Sequence, residues 1–176
     1  DIYDHIRTLR RTTVTRKEGR SVLMSGLTGA GKTKILDQII FHAGLGLEKA
    51  LKIYLVDNTS EDFFIGKLIF RKIYNLYKEE LDIEGDYERI RREMDSIIAN
   101  EQDFSYIYDD IINFIFRCSE SRDIRLTVLL DNYERYDQES VRFVNRLFNI
   151  NKNSGNIFLI ISIATDKMNE TVSQSY

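Results

Sequence analysis

The chain has 176 residues, 43% of them hydrophobic and 30% charged. That composition fits one folded domain with a real core and excludes disordered, collagenous and disulfide-scaffold proteins. A net charge of −3, one cysteine (Cys118) and two distant histidines (His5 and His42) exclude a broadly basic nucleic-acid surface, an intramolecular disulfide and a zinc site.

Ile2, Ile6 and Leu9 recur at helical spacing between arginines, which predicts an amphipathic helix within 1–18. Its basic residues Arg7, Arg10, Arg11, Arg16 and Lys17, with Arg20, read as a charged helix face rather than a phosphate-binding stripe. Ser21–Ser25 is a short apolar run entering a glycine loop and predicts a buried strand. A helix is expected from about Gly31 to His42, then a second strand over Leu51–Val56 ending at Asp57 and Asn58. Ile65, Leu68, Ile69, Ile73 and Leu76 mark another helix, with Ser60 as its N-cap and Glu61 and Asp62 in its first turn.

Residues 78–122 form a helical segment. Positions 79–103 carry ten acidic and three basic residues and read as a solvated helical face with loops. Phe104, Ile107, Tyr108, Ile111, Ile112, Ile115 and Phe116 define a strongly apolar helix beyond it. Arg125–Leu130 predicts a buried strand, Gln138–Phe148 a helix with Val141, Val144, Leu147 and Phe148 inward, and Asn156–Ile163 a last strand. Continuous apolar strands alternating with helices predict an α/β fold with a mainly parallel sheet covered on both faces. No apolar run reaches the roughly 20 residues of a membrane-spanning helix. Beginning at Asp1 and stopping at Tyr176, the sequence reads as a fragment or a heavily reduced protein.

Gly26-Leu27-Thr28-Gly29-Ala30-Gly31-Lys32-Thr33 satisfies the P-loop (Walker A) pattern G-x-x-x-x-G-K-[ST], between a strand and a helix as that motif requires. Glycines let backbone N–H groups converge on phosphates, and the helix N-terminus adds partial positive charge. Lys32 is expected to reach the β- and γ-phosphates of ATP, and the Thr33 hydroxyl to ligate Mg2+. Leu126-Thr127-Val128-Leu129-Leu130-Asp131 has the Walker B form, an apolar strand ending in a carboxylate that holds Mg2+ directly or through water.

A glutamate commonly follows that aspartate to activate water, but here the position is Asn132. An amide is no general base, so Asn132 is expected to position a water at most, giving ATP binding with slow or absent hydrolysis. Glu134, two residues further on, is expected to point elsewhere. After the strand ending Ile161-Ser162-Ile163-Ala164, Thr165 is the candidate for contact with the γ-phosphate or the lytic water. The alternative is that Thr165 caps the next helix and Asp166 favours its first turn.

These motifs, with Leu9–Thr13 leading into Arg20-Ser21-Val22-Leu23, Val128–Tyr136 and Phe143-Val144-Asn145-Arg146-Leu147-Phe148-Asn149-Ile150, resemble the AAA+ ATPases of the initiator clade, in particular the origin recognition complex subunit 4 family. The resemblance covers most of 1–176 as one ATPase core, with 78–122 least anchored. It implies the P-loop NTPase fold of AAA+ type, a three-layer α/β/α core from which that family's lid and winged-helix domains are absent. It further implies an ATP-binding subunit of a nuclear heteromeric ring, with other origin recognition complex subunits as partners. Origin DNA would be contacted mainly through the assembled complex, in replication initiation and away from any membrane. Ile161–Asp166 is similar to the clade's sensor-1 strand, which supports Thr165. Val172–Tyr176 resembles a stretch carrying an arginine that reaches a neighbour's ATP, but Ser175 stands at that place, implying that this chain does not activate its neighbour. The alternative is a P-loop NTPase hydrolysing ATP outside replication.

Overall fold

The computed structural model describes residues 2–16, 18–44, 49–54, 61–120 and 126–167. In chain order its elements are α1 (Ile2–Arg16), β1 (Arg20–Gly26), α2 (Lys32–Gly44), β2 (Lys49–Tyr54), α3 (Phe64–Tyr77), α4 (Glu84–Ala99), α5 (Ser105–Glu120), β3 (Leu126–Asp131), α6 (Gln138–Ser154) and β4 (Phe158–Ala164). A 3-10 turn over Tyr133–Arg135 follows β3, and another over Thr165–Lys167 follows β4.

The four strands form one parallel sheet in the order β1-β4-β3-β2. Parallel neighbours need crossover connections, and helices supply them on both faces. The strand period of two sorts side chains between these faces. Leu129, Phe158 and Ile160 pack with Ile6, Met24, Leu36 and Ile39 beneath α1 and α2. Val128, Leu130, Leu159 and Ile161 point the other way, into the larger core under α3, α5 and α6. Every residue of β3 and β4 is buried, which is why neither strand alternates in polarity. The fold is therefore a three-layer α/β/α architecture of P-loop type.

Register places the carboxyl ends of β1, β4 and β3 side by side, with Gly26 opposite Ala164 and Leu130 opposite Ile161. In open parallel sheets that edge is where ligands bind. The opposite end is sealed by Asn151. Its Nδ2 donates to Ser21 Oγ and to the Ile157 carbonyl, each at 3.0 Å, and its Oδ1 accepts from the Ile157 N–H at 3.2 Å. Because that N–H is spent on a side chain, β4 begins at Phe158 rather than at Asn156.

Other boundaries shift for similarly local reasons. α6 continues six residues past Phe148, to Ser154. The acidic stretch is an ordered helix, α4, that buries Ile90, Met94 and Ile97; only its other faces are solvated. Ile2 is exposed, while Ile6 is buried as expected. α3 begins at Phe64, later than the sequence suggests, behind Phe63 in a left-handed conformation (φ 59°). Asp137 and Ser140 satisfy its leading N–H groups from across the fold: Phe63 and Phe64 donate to the Asp137 carboxylate, and Ile65 donates to Ser140 Oγ. The residues expected at its cap and just before it, Asp57, Asn58 and Ser60, lie outside the described residues, as do Leu55, Val56 and Arg125 at the strand ends. Among the described residues no helix is long and apolar enough to cross a membrane.

Candidate functional site at the carboxyl edge of the sheet

Between β1 and α2 the backbone makes a tight loop in which Gly29 and Gly31 take φ values of 79° and 83°. A Cβ at either position would meet no neighbouring atom, so the glycines serve the backbone angle itself, which L side chains rarely adopt. The loop feeds directly into α2, whose first turn has N–H groups with no intrahelical acceptor. That turn and the loop together form a concave array of donors, suited to an anion.

Lys32 lies back across this loop, its Nζ donating to the carbonyls of Gly26 and Leu27, each at 2.8 Å. Neutral carbonyls hold an ammonium less strongly than a charged oxygen does, so the side chain is available to a phosphate. One residue on, Thr33 Oγ1 donates to Asp131 Oδ2 at 2.8 Å, joining the start of α2 to the end of β3. Asp131 is 2% exposed. Its other oxygen accepts from Ser162 Oγ at 2.7 Å and from the Asn132 N–H at 3.1 Å. A buried carboxylate requires such partners, because stripping its water without replacement is costly. Lys52 on β2 adds positive charge, 3.9 Å from Asp131 Oδ2 and 2.5 Å from Asp37 Oδ1.

Lys32, Thr33, Asp37 and Asp131 line one cleft of about 480 Å3, together with Thr28, Gly29, Gly31, Asn132, Glu134, Ala164 and Lys167, while Lys52 and Ser162 act on it through Asp131. Its size is ordinary for a small-molecule site, roughly 300–1,000 Å3. A larger cavity of about 600 Å3 lies among Glu61, Ile97, Phe104 and Arg142, but it has neither the glycine loop nor the buried carboxylate. Thr33 and Asp131 fit Mg2+: a hydroxyl and a carboxylate, both hard oxygen donors, face each other at the cleft floor. Mg2+ in phosphate sites keeps several waters and takes few protein ligands. No group of three or more His, Cys, Asp or Glu side chains suited to a metal occurs among the described residues.

Of the loop residues, Thr28, Gly29, Gly31, Lys32 and Thr33 line the cleft, whereas Gly26 and Ala30 do not and Leu27 turns 64% of its surface to solvent. Asn132 lines the cleft in a left-handed conformation (φ 57°). Thr165 sits exposed at the start of the second 3-10 turn and is not among the lining residues. Its neighbour Asp166 does not act on its own turn alone; it reaches back to the loop, accepting from the Thr28 N–H at 2.7 Å and Thr28 Oγ1 at 3.1 Å. Those bonds hold its carboxyl below the usual aspartate range. Residues 168–176, including Ser175, lie outside the described residues.

One expectation is overturned. Glu134 does not point away from the site: the left-handed Asn132 starts a 3-10 turn that swings Glu134 back, and its Oε2 accepts from the Ala164 N–H at 2.9 Å within the same cleft. Sequence spacing missed it because a strand or helix continuing past Asp131 would place it elsewhere. Lys52 and Ser162 were also missed, although each sets a polar side chain between apolar neighbours in its strand, the local signal that marks them.

Neither a protein-family model nor a curated protein matches the chain. Among solved structures it is similar to PCH-2 from C. elegans, with a TM-score of 0.47 and 13% identity over 99% of this chain and 39% of that one. It is similar also to the HORMA:CdnC:Trip13 complex of E. coli MS115-1 (TM-score 0.43, 10% identity, 90% of this chain and 46% of that one). A third is EssC, ATPases 2 and 3, from Geobacillus thermodenitrificans (TM-score 0.40, 14% identity, 89% and 30%). The chain spans less than half the length of each of these.

Proposed function

We propose that the chain binds ATP with Mg2+ at the carboxyl edge of its sheet, as an AAA+ ATPase core. The observation that carries this is the 2.8 Å contact between Thr33 and Asp131, which brings the end of the glycine loop and the end of an apolar strand together at the floor of one cleft. Lys32 would move from its carbonyls to the β- and γ-phosphates, and loop N–H groups would receive the phosphate oxygens. Bound Mg2+ would neutralise charge on those oxygens, with Thr33 and Asp131 holding it.

The finer assignment is to the origin recognition complex, as an ATP-binding subunit acting in DNA replication initiation in the nucleus. The segments Val128–Tyr136 and Phe143–Ile150, which resemble the subunit 4 family, support it. ATP would then act at a boundary with a neighbouring subunit, and origin DNA would be engaged through the assembled complex.

Lys32→Ala tests both levels. Fluorescent-nucleotide titration should show ATP affinity falling about 100-fold or more, roughly 3 kcal/mol, with little change in thermal stability because the side chain packs in no apolar core and only its two carbonyl contacts are lost. Equal affinity in the variant would refute the site. Affinity purification from the native cells, with mass spectrometry of wild type and variant, tests the complex. Other origin recognition subunits should co-purify and be weakened by the substitution, and unrelated partners would leave an ATPase working outside replication.

A further inference from the structure

The position after Asp131 holds an amide that cannot take a proton, yet a carboxylate enters the cleft by another route. The backbone reverses at Asn132, and the 3-10 turn Tyr133–Arg135 returns Glu134 to the wall shared with Lys32, Thr33 and Asp131. Three observations bear on its role. Glu134 is 7% exposed, so its side chain is mostly removed from bulk water, and it lines the cleft. Oε2 is fixed by the Ala164 N–H at 2.9 Å, which orients the carboxylate from the end of β4. Oε1 has no hydrogen-bond partner among the described residues, on a side chain that lines the cleft. An anchored carboxylate with one oxygen committed and the other unpartnered among the described residues, in the cleft that holds the phosphate loop, is arranged to receive a proton.

We propose that Glu134 is the general base for ATP hydrolysis in this chain, supplying from the 3-10 turn the carboxylate missing at position 132. The inference rests on the proposed ATP site. In the step it performs, the oxygen of a cleft water attacks the γ-phosphorus while that water's proton passes to Glu134 Oε1. The bond from the γ-phosphorus to the β–γ bridging oxygen breaks, and its electron pair leaves with ADP. The proton is then released to solvent with inorganic phosphate. Asn132 can orient the water through its amide without accepting the proton. Turnover in this chain is thereby expected to be real rather than abolished by Asn132.

The test uses the full-length protein in single-turnover hydrolysis of radiolabelled ATP with Mg2+, alongside fluorescent-nucleotide titration and thermal denaturation. Glu134→Gln keeps an oxygen for the Ala164 N–H but removes the base. It should slow hydrolysis by about 100-fold or more while ATP affinity and melting temperature stay at the wild-type values. Glu134→Asp keeps a base drawn back by one methylene and should give an intermediate rate. If the Gln variant does not fold, the Asp variant decides: a rate loss exceeding any affinity loss supports the base, and parallel losses overturn it. Wild-type hydrolysis by Glu134→Gln overturns the proposal. So does a wild-type protein that binds ATP and never turns it over, an outcome that leaves the ATP site standing. Failure of the wild-type protein to bind ATP overturns the site itself and the base with it.

Discussion

The cleft and the aromatic helical face are held by opposite means. At the cleft, the chain runs through exposed glycines at φ 79° and 83° and is tied by polar contacts from Thr33, Ser162 and Asp166. On the helical face, Phe63 is fully buried, its ring centroid 4.9 Å from Phe104, 5.4 Å from Tyr108 and 5.3 Å from Phe143. Gly66 lies so close beneath it that a Cβ there would collide with the ring. The first region spends backbone freedom to present donors; the second spends side-chain volume to fix helices. Substitutions in the first should therefore alter binding without unfolding, and in the second the reverse.

The strongest way to break this contrast is Phe63→Ala. Removing a buried ring leaves a cavity as well as lost transfer energy, typically about 3–5 kcal/mol. Urea denaturation should show that loss, while the folded fraction binds ATP with wild-type affinity. A parallel loss of ATP affinity in the folded protein would show that the two regions are coupled.

How much of each region could be read in the sequence follows from the same contrast. The glycine loop is legible because its chemistry demands particular residues at consecutive positions, and the apolar strands 126–131 and 158–164 are legible because burial on both faces suppresses polar residues. Asp131 marks itself by ending one of them. Glu134 is invisible because its direction depends on one left-handed residue, Asn132. The start of α3 is misplaced for a related reason, since its cap comes from Asp137 and Ser140, more than 70 residues away. α4 reads as a polar face because its three buried residues are outnumbered by charges; their partners lie on other elements.

Ser140 ties the start of α3 to the start of α6, and a substitution there should act at smaller amplitude. It is fully buried, its Oγ donates to Asp137 and accepts the Ile65 N–H at 3.0 Å, and its own N–H caps α6 through Asp137 at 2.8 Å. Ser140→Ala strands the Ile65 N–H and should cost about 1–3 kcal/mol. Native-state hydrogen exchange should place the loss at the first turn of α3 more than at α6, whose cap from Asp137 survives. Equal loss at both helices would mean that Asp137 needs the hydroxyl to hold its position.

The smallest effect lies on the surface between α5 and α6. Arg146 meets the Asp109 carboxylate with two bonds, Nε to Oδ1 at 2.6 Å and a second nitrogen to Oδ2 at 2.5 Å. Both side chains are about half exposed, at 50% and 53%, so solvent screening limits the pair to about 0.5 kcal/mol or less despite its bidentate geometry. The hydrogen bonds from Arg146 hold the Asp109 carboxyl below its ordinary value. A depressed folded-state value means the contribution is complete above the unfolded carboxylate range and is lost as pH falls through the folded value. Arg146→Ala should therefore be slightly destabilising in urea at neutral pH, and the difference should vanish once the pH falls below the depressed folded-state value of Asp109. Salt should shrink it too, since exposed charges are screened within a Debye length of about 10 Å at 0.1 M. A difference that survives both acid and salt would assign the arginine's effect to its aliphatic stem packing across the two helices rather than to its charge.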